Sequence, residues 1–418
     1  MRYSEHADDN SGVYAAILFL VWPVLAVASA FQNYRSSWGK NVLWAFIAFY
    51  GLCFAIGTES KESDIVRYVN EVKILHNSEL TLEEAVTYYQ ESGEIDIGRT
   101  LIALLVSRVS DSQALLTFVY GLIFGFFFSR NMFYVLGHLQ GNIRLITLLL
   151  FACFFLVVPI WNINGFRMWT ATHMFLYGLL PYLMEGRRNG AFVATLSILM
   201  HFSFIVPVGV LLGYMVTGNR LTLYFLFFLY SYFISEINVS AINNIMESYA
   251  PEILQERTSS YLVEKNQGGG SSGGPVWYAR YYGTALKYSV MGFLIVLFIK
   301  GRDFFYEHEG WLRMFSFTLL FYGTANVLSI LPSGSRFITI ANLFALALIT
   351  MYVQNRKDDL VMRRFIWFAT PLLFLFMIVA FRIGLYSMSA TAVLGNPVIA
   401  MFLSEEHMSL NDVMRMIL

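Results

Sequence analysis

Apolar runs long enough to cross a bilayer recur along the whole chain, and they limit the folds open to it. A transmembrane helix needs about 20 consecutive apolar residues. The candidate spans are 12–31, 41–57, 113–135, 144–161, 163–184, 190–216, 221–237, 285–300, 310–331, 337–354 and 364–382. Charged residues make up only 13% of the chain, whereas soluble domains carry about 25%. The sequence therefore predicts one all-α transmembrane domain over 1–418, a polytopic integral membrane protein with about 11 or 12 transmembrane helices.

Two apolar runs have the wrong length for an ordinary span. The run 98–109 is too short, which predicts a re-entrant or interfacial helix. The run 190–216 is too long and carries His201 near its middle. Two short helices that meet near His201 would return the chain to its starting side, and such a break is tolerated where it is buried in protein or lines a cavity. We favour this broken pair; a single tilted span is the alternative.

The distribution of charge orients the chain, because cytoplasmic loops are rich in Lys and Arg. Basic residues cluster at 35–40, 187–188 and 356–364, and we place these loops in the cytoplasm. The segment 58–97 holds ten Asp or Glu residues and three Lys or Arg residues. We place this segment outside, together with the acidic N-terminus.

This orientation gives two outer-face loops. Residues 58–112 are expected to contain amphipathic helices and the short re-entrant helix. Residues 238–284 contain QGGGSSGGP, a composition typical of flexible linkers. The sequence shows no internal repeat.

Two polar residues inside spans are the first functional candidates, because such residues are expensive in a bilayer. Arg167 follows Asn164 by three residues, so the two share a helix face. Arg167 is interpreted as an anion ligand aimed into the bundle; the alternative is an arginine that snorkels to the outer interface. His201 is interpreted as a general base or a hydrogen-bond donor to phosphate or sugar. The alternative is a histidine that only packs between helices.

Further candidates lie near the outer ends of spans. Arg336 is at the start of a span, where the helix N-terminus and a guanidinium would together favour phosphate; it could instead be an interfacial anchor. Asp64, Arg67 and Tyr68 would share one helix face, or form a solvated surface pair of little energetic value. Arg280 lies among rings in WYARYYG, which suit sugar stacking or an interfacial aromatic belt.

Several classes of function are not indicated. No metal-ligand spacing, P-loop, GxSxG motif or dinucleotide-binding fingerprint appears in the sequence. We therefore expect no metal and no cofactor. The formal net charge is +0, so we expect no nucleic-acid partner.

The order of these motifs resembles the EpsG family of polysaccharide-repeat polymerases, which are relatives of the Wzy O-antigen polymerases. The matching features are DIVRY at 64–68, the short apolar helix at 98–109 reached through GEIDIGR, Arg167 at the head of a span followed by a basic turn, and MHFS at 200–203. The resemblance covers most of 40–220. The C-terminal half matches only in architecture, with Arg336 at a helix start.

This resemblance implies a membrane-embedded glycosyltransferase of the GT-C-like kind. Its partners would be an undecaprenyl-diphosphate-linked glycan donor and acceptor, the lipid bilayer, and a chain-length regulator protein. Such an enzyme joins repeat units on the outer face of the bacterial inner membrane, in O-antigen, capsule or exopolysaccharide synthesis. Its active site would face the periplasm.

On this interpretation the candidates take three roles. A leaving diphosphate gathers negative charge, which preorganised cations stabilise. The expected diphosphate-binding residues are Arg167, Arg336 and Arg67. The expected catalytic base for the acceptor hydroxyl is His201, with Asp64 as the competing candidate. The expected substrate or glycan contacts are Tyr68, Arg280 and Asn164.

Two other functions use similar features. A transporter or flippase of lipid-linked glycans would also use broken helices and buried arginines, although it should show two-fold repeats. An O-antigen ligase uses the same leaving group, so the sequence does not separate it from a polymerase.

Overall fold

Almost every described residue lies in a helix. The computed structural model describes residues 2–55, 64–78, 84, 87, 95–233, 277–331, 333–356, 359–400, 402–403 and 407–417. These residues are almost entirely helical, which confirms the predicted all-α fold. The Gly/Ser stretch predicted to be a flexible outer loop lies outside the described residues.

Five described segments are long and apolar enough to cross a membrane. They are Gln113–Gly137, Leu145–Glu185, Trp277–Glu307, Ser335–Asn355 and Leu360–Leu385. Shorter apolar helices accompany them, among them Pro23–Gln32 and Leu221–Phe233. The chain is therefore a multi-pass membrane protein.

We name the described helices in chain order. They are α1 (Arg2–Val21), α2 (Pro23–Gln32), α3 (Gly39–Leu52), α4 (Asp64–Asn77), α5 (Ile97–Ser107), α6 (Gln113–Gly137), α7 (Leu145–Val157), α8 (Phe166–Glu185), α9 (Arg188–Thr195), α10 (Ser197–Met200), α11 (Ile205–Thr217), α12 (Leu221–Phe233), α13 (Trp277–Glu307), α14 (Glu309–Leu328), α15 (Ser335–Asn355), α16 (Leu360–Leu385), α17 (Ala390–Leu394), α18 (Pro397–Ala400) and α19 (Leu410–Ile417). Turns of 3-10 helix at Ile160–Gly165 and Phe202–Phe204 precede α8 and α11.

Helix α15 forms the centre of the bundle. Its sequence is apolar on every side, as expected of a helix surrounded by protein, and nearly all of its residues are buried. The Tyr322 hydroxyl donates a hydrogen bond to Asn342 in this helix (2.9 Å). At the other end, Gln354 donates to the backbone carbonyls of Gln140 and Asn142 (2.7 and 2.8 Å). These bonds satisfy buried polar groups that would otherwise destabilise the core.

The first apolar run, 12–31, is a helical hairpin and not the single span expected from its length. Trp22 is extended between α1 and α2, and Pro23 begins α2; proline lacks the N–H that a continuous helix would use. The Trp38 indole donates to the Ser11 hydroxyl (2.9 Å). The tenth residue of α1 therefore lies at the end of the bundle where α3 starts. The prediction that this run forms a single span is wrong.

The long run 190–216 is broken, as predicted. His201 is extended (φ −152°, ψ 118°) between α10 and the turn that leads into α11. Near the end of α11, Tyr214 donates to the Arg313 carbonyl (3.3 Å), and Arg313 donates to the Leu183 carbonyl near the end of α8 (2.7 Å). Since α9 begins directly after α8, the start of α9 and the end of α11 lie at the same end of the bundle. The single tilted span is excluded.

The segment 58–112 contains two amphipathic helices in its described part. Helix α4 buries one face, formed by Ile65, Tyr68, Val69, Val72 and Leu75. Helix α5 is the predicted apolar helix that is too short to span. It exposes a stripe at i, i+4 spacing, formed by Ile97, Leu101 and Leu105. The location of this segment on the outer face stays a prediction.

Candidate functional site

A buried carboxylate, Asp96, holds two of the sequence-predicted site residues together. The Arg167 guanidinium donates to Asp96 Oδ2 (2.8 Å), and His201 Nδ1 lies 3.0 Å from the same oxygen. The Asp96 side chain is 2% exposed, whereas those of Arg167 and His201 are 18% and 16% exposed. Three distant parts of the sequence thus meet where α5 and α8 begin and α10 ends.

The surroundings of Asp96 keep it ionised. Burial alone would raise its pKa, since it disfavours the charged form. The hydrogen bond and charge of His201, the Phe202 N–H and the Arg167 guanidinium more than offset burial and lower the pKa to about 2. The carboxylate is therefore negative at neutral pH and balances the cationic charge beside it.

Asp96 also supplies the polar partner that the broken helix requires. A helix start leaves backbone N–H groups without intrahelical acceptors. Asp96 Oδ1 accepts the Phe202 N–H (2.8 Å) at the break, as an N-cap residue would do from within the same helix. Gly98 lets the two segments come this close, because a Cβ there would lie 2.6 Å from Met200 Sδ and 3.1 Å from the Leu199 carbonyl oxygen.

Three guanidinium groups surround the ring of Tyr68. Arg99, Arg67 and Arg167 lie 4.9, 5.5 and 5.5 Å from its centroid, within the range of cation–π attraction. Arg99 is buried and forms an ion pair with Glu71 on α4. This ion pair joins α4 to α5 and so fixes Tyr68 beside Arg167.

Two more predicted residues join this cluster from α4 and the turn before α8. Asn164 Oδ1 accepts a hydrogen bond from the Ile65 N–H (3.4 Å). Asp64 pairs with Arg67 (2.7 Å), and both side chains are well exposed, at 45% and 59%. Six of the eight predicted residues therefore gather at one place: Asp64, Arg67, Tyr68, Asn164, Arg167 and His201.

The remaining two, Arg280 and Arg336, belong to a different region. Arg280 lines a cavity of about 690 Å³ on the other side of the start of α8, a volume within the range of small-molecule sites. Its lining also includes Trp161, Trp169, Tyr282, Lys287 and Asn342, and contains no acidic side chain among the described residues. Neither Arg167 nor His201 is part of this lining.

Arg336 is the second residue of α15, at a helix start as the sequence predicts. Its side chain is exposed. Its neighbour Ser335 lines the cavity, whereas Arg336 itself does not.

The comparison with known families covers both the Asp96 cluster and the cavity that Arg280 lines. The model of the EpsG family matches residues 42–391, which is more than half of the chain. The chain belongs to the EpsG family. This confirms the resemblance that the motif order predicted, and membership of the EpsG family indicates a membrane protein of the polysaccharide-polymerase, glycosyltransferase-like type. No curated protein and no solved structure matches the chain.

The most important residue of this EpsG family member that the sequence did not predict is Asp96. Arg167 and His201 were recognised as costly inside a bilayer, and a costly charge needs a partner. Asp96 stands directly before the short apolar helix, within the motif GEIDIGR. A search for the counter-charge of Arg167 among carboxylates that border apolar runs would have found it. Arg99, Glu71 and Lys287 were also missed.

The cluster has the parts needed for acid–base chemistry beside a bound anion. A carboxylate on Nδ1 fixes the imidazole tautomer, which leaves Nε2 as a proton acceptor. No described residue forms a hydrogen bond with Nε2 of His201. A guanidinium has five N–H donors in a planar fork, so the bond from Arg167 to Asp96 does not use all of them.

Proposed function

We propose that this protein is a polysaccharide polymerase, which joins undecaprenyl-diphosphate-linked oligosaccharide repeats on the outer face of the bacterial inner membrane. The observation that carries the proposal is the bridge from Asp96 to both Arg167 and His201. It combines a candidate base with a candidate phosphate ligand at one end of the helix bundle. The acidic character of segment 58–97 supports an outward-facing site.

In the proposed reaction His201 Nε2 accepts the proton of an acceptor sugar hydroxyl. The acceptor oxygen forms a bond to the anomeric carbon of the donor. The bond between that carbon and the diphosphate oxygen breaks, and the diphosphate leaves with the electron pair. Asp96 stabilises the imidazolium that results, because its charge lies 3.0 Å from Nδ1.

The leaving diphosphate would be held by Arg167 together with Arg67, whereas Arg336, which was predicted for the same role, lies apart from this cluster at the start of α15. Guanidinium groups match phosphate oxygens in pairs, and preorganised cations stabilise charge that grows in the transition state. Arg67 is 59% exposed and adjoins Tyr68, so it is accessible to a ligand at this surface. Asp64 remains the competing base, although its exposed pair with Arg67 gives it a less preorganised setting.

The cavity beside α8 would receive the glycan. Trp161, Trp169 and Tyr282 offer ring faces for sugar stacking, and Asn342 and Arg280 offer hydrogen bonds to hydroxyl groups. The turn at Ile160–Gly165 leads directly into α8, so a glycan bound there would lie close to the Asp96 cluster.

The proposal is tested by giving the reconstituted protein a lipid-diphosphate-linked repeat and measuring polymer length. We expect His201→Gln to leave single repeats, and Arg167→Lys to reduce the rate by about tenfold or more because it loses the planar fork. His308→Asn is the matched control, since His308 is an exposed histidine in the loop before α14. Full-length polymer from both site variants contradicts this assignment. Transfer of a single glycan to another lipid instead indicates a ligase.

A further inference from the structure

A second cavity, of about 700 Å³, lies at the opposite end of α8 from the Asp96 cluster. Helix α8 has 20 residues and is therefore about 30 Å long. The cavity is lined by the second half of this helix, the turn before α3 with the start of α3, the end of α6, and the start of α9. Its polar lining includes Lys40, Arg130, Arg187, Ser36 and Glu185.

The lining carries an excess of positive charge. Its one carboxylate, Glu185, is already bound by Arg187 (2.6 Å) and by the Tyr134 hydroxyl (2.9 Å). Lys40 and Arg130 have no carboxylate partner among the described residues. The cavity is therefore suited to an anion.

Arg130 is the strongest single indication of a missing anion. It lies seven residues before the end of α6, about 10 Å along the helix. Among the described residues its guanidinium contacts only neutral groups: Asn41 Oδ1 and Ser129 Oγ at 2.9 Å each, and the rings of Trp44 and Phe126 at 4.7 and 4.2 Å. A cation at this depth is costly without a counter-charge.

Ser36 gives a second and independent indication. Its hydroxyl oxygen is buried and has no hydrogen-bond partner among the described residues. A buried polar atom without a partner costs stability, and in native proteins most such atoms are satisfied by protein, water or ligand. Since Ser36 lines the same cavity as Lys40 and Arg130, one bound anion would satisfy both needs.

We propose that this cavity binds the phosphate head group of an anionic phospholipid. The cavity opens at the end of the bundle that carries the basic loops at 35–40 and 187–188. Basic pockets between transmembrane helices on such a side bind anionic head groups. The apolar lining, with Phe133, Pro181 and Val193, matches the glycerol and upper acyl chains of a lipid better than a free ion. A bound lipid would join α3, α6, α8 and α9 at the end remote from Asp96.

The test measures the thermal unfolding midpoint of the purified, delipidated protein in detergent. A ligand that binds the folded state raises this midpoint. We expect phosphatidylglycerol to raise it, and phosphatidylcholine and inorganic pyrophosphate to have little effect. Phosphatidylcholine also contains a phosphate but is zwitterionic, so an equal shift with it overturns a site that is specific for an anionic lipid. An equal shift with pyrophosphate overturns the lipid and indicates a soluble anion.

Two pairs of variants locate the effect. Lys40→Gln with Arg187→Gln changes two exposed side chains of the lining, so the fold should persist. This pair should weaken the apparent affinity for phosphatidylglycerol by about tenfold or more. Arg363→Gln with Arg364→Gln removes two exposed cations at the start of α16, outside the cavity, and should keep the wild-type affinity. Unchanged affinity in the first pair, or equal loss in both pairs, contradicts the proposal.

Arg130→Lys is a further variant that keeps the charge but loses the planar fork. We expect it to bind phosphatidylglycerol more weakly than the wild type and more tightly than the Lys40 and Arg187 double variant. Wild-type affinity in this variant would remove Arg130 from the site. The readout is lipid affinity and not polymer length, so the result is independent of the proposed glycosyltransferase activity.

Discussion

Two apolar runs of this protein, 12–31 and 190–216, break within the bundle, and they do so by different means. The first breaks at Trp22 and Pro23, and its tip is held by neutral contacts: the Trp22 indole donates to the Val393 carbonyl (2.8 Å). The second contains no proline at its break. It is held open by the charged carboxylate of Asp96, which accepts the Phe202 N–H and contacts His201.

This difference indicates that the break at Pro23 is structural and that the break at His201 is functional. A proline break needs no titratable group, because the missing N–H requires no acceptor. The break at His201 instead depends on a buried charge brought from another segment, and such charges are expensive. A protein that retains a costly break of this kind is expected to use it in its chemistry. The predictions below test that contrast.

The largest effect is expected from Asp96→Asn. An amide carries no charge to balance Arg167 or an imidazolium at His201, so two half-buried groups lose their anionic partner. We expect polymerisation to fall by about 100-fold or more, and the free energy of unfolding to fall by about 3–5 kcal/mol. Polymer length from lipid-linked repeats and thermal unfolding of the purified protein give the two values.

Asp64→Asn is the matched control for that variant. Asp64 is exposed and pairs only with Arg67 among the described residues, so its loss should change stability by less than about 1 kcal/mol. Strong loss of polymerisation in Asp64→Asn, with Asp96→Asn active, would make Asp64 the base and remove the special role of the break.

The fold could be predicted from the sequence because the features that determine its helices are local. The lengths of apolar runs predicted the helices, and the excess length of 190–216 together with His201 predicted the broken pair. The hairpin at 12–31 was missed because its length suits a single span, and the Trp38 contact that reveals it is non-local. Pro23 was the available local signal.

The candidate site could be predicted only in part, because sequence signals are local and the site is assembled from distant segments. Arg167 and His201 are conspicuous because each is polar within an apolar run. Asp96 lies in a segment with ten acidic residues. Nothing in the local sequence distinguishes it from the other nine, and only the fold places it beside Arg167. The position of Arg280 and Arg336 relative to the cluster depends on helix packing, which the sequence does not display.

The second largest effect is expected from Gly98→Ala. The added Cβ would lie 2.6 Å from Met200 Sδ and 3.1 Å from the Leu199 carbonyl oxygen, so α5 must move away from the break. Crowding of this kind destabilises by about 1–3 kcal/mol. We expect polymerisation to fall more than stability alone explains, since the bond from Asp96 to His201 lengthens. Gly209→Ala has open space around its Cβ, and normal activity in both variants would show that the close approach is not needed.

Low pH should destabilise the helix break at His201, which the Asp96 carboxylate holds, and should leave the break at Pro23 unchanged. The pKa of Asp96 is lowered from its ordinary 3.8 to about 2 in the folded protein. The stability it contributes, about 2 kcal/mol, is therefore present above pH 4 and lost as the pH falls towards 2. The difference in unfolding midpoint between the wild type and Asp96→Asn should shrink over this interval. A difference that stays constant from pH 5 to pH 2 would mean that the ionised carboxylate does not hold the break.

The smallest effect is expected at the proline break, and it decides whether that break is only structural. Trp22→Phe keeps the ring but removes the donor to the Val393 carbonyl, a loss worth about 1 kcal/mol. Since no titratable side chain takes part in that contact, polymer length should stay at the wild-type value while the unfolding midpoint falls slightly. Shortened polymer from Trp22→Phe would show that the α1–α2 hairpin also acts on the reaction. The two breaks would then differ in how they are held and not in what they do.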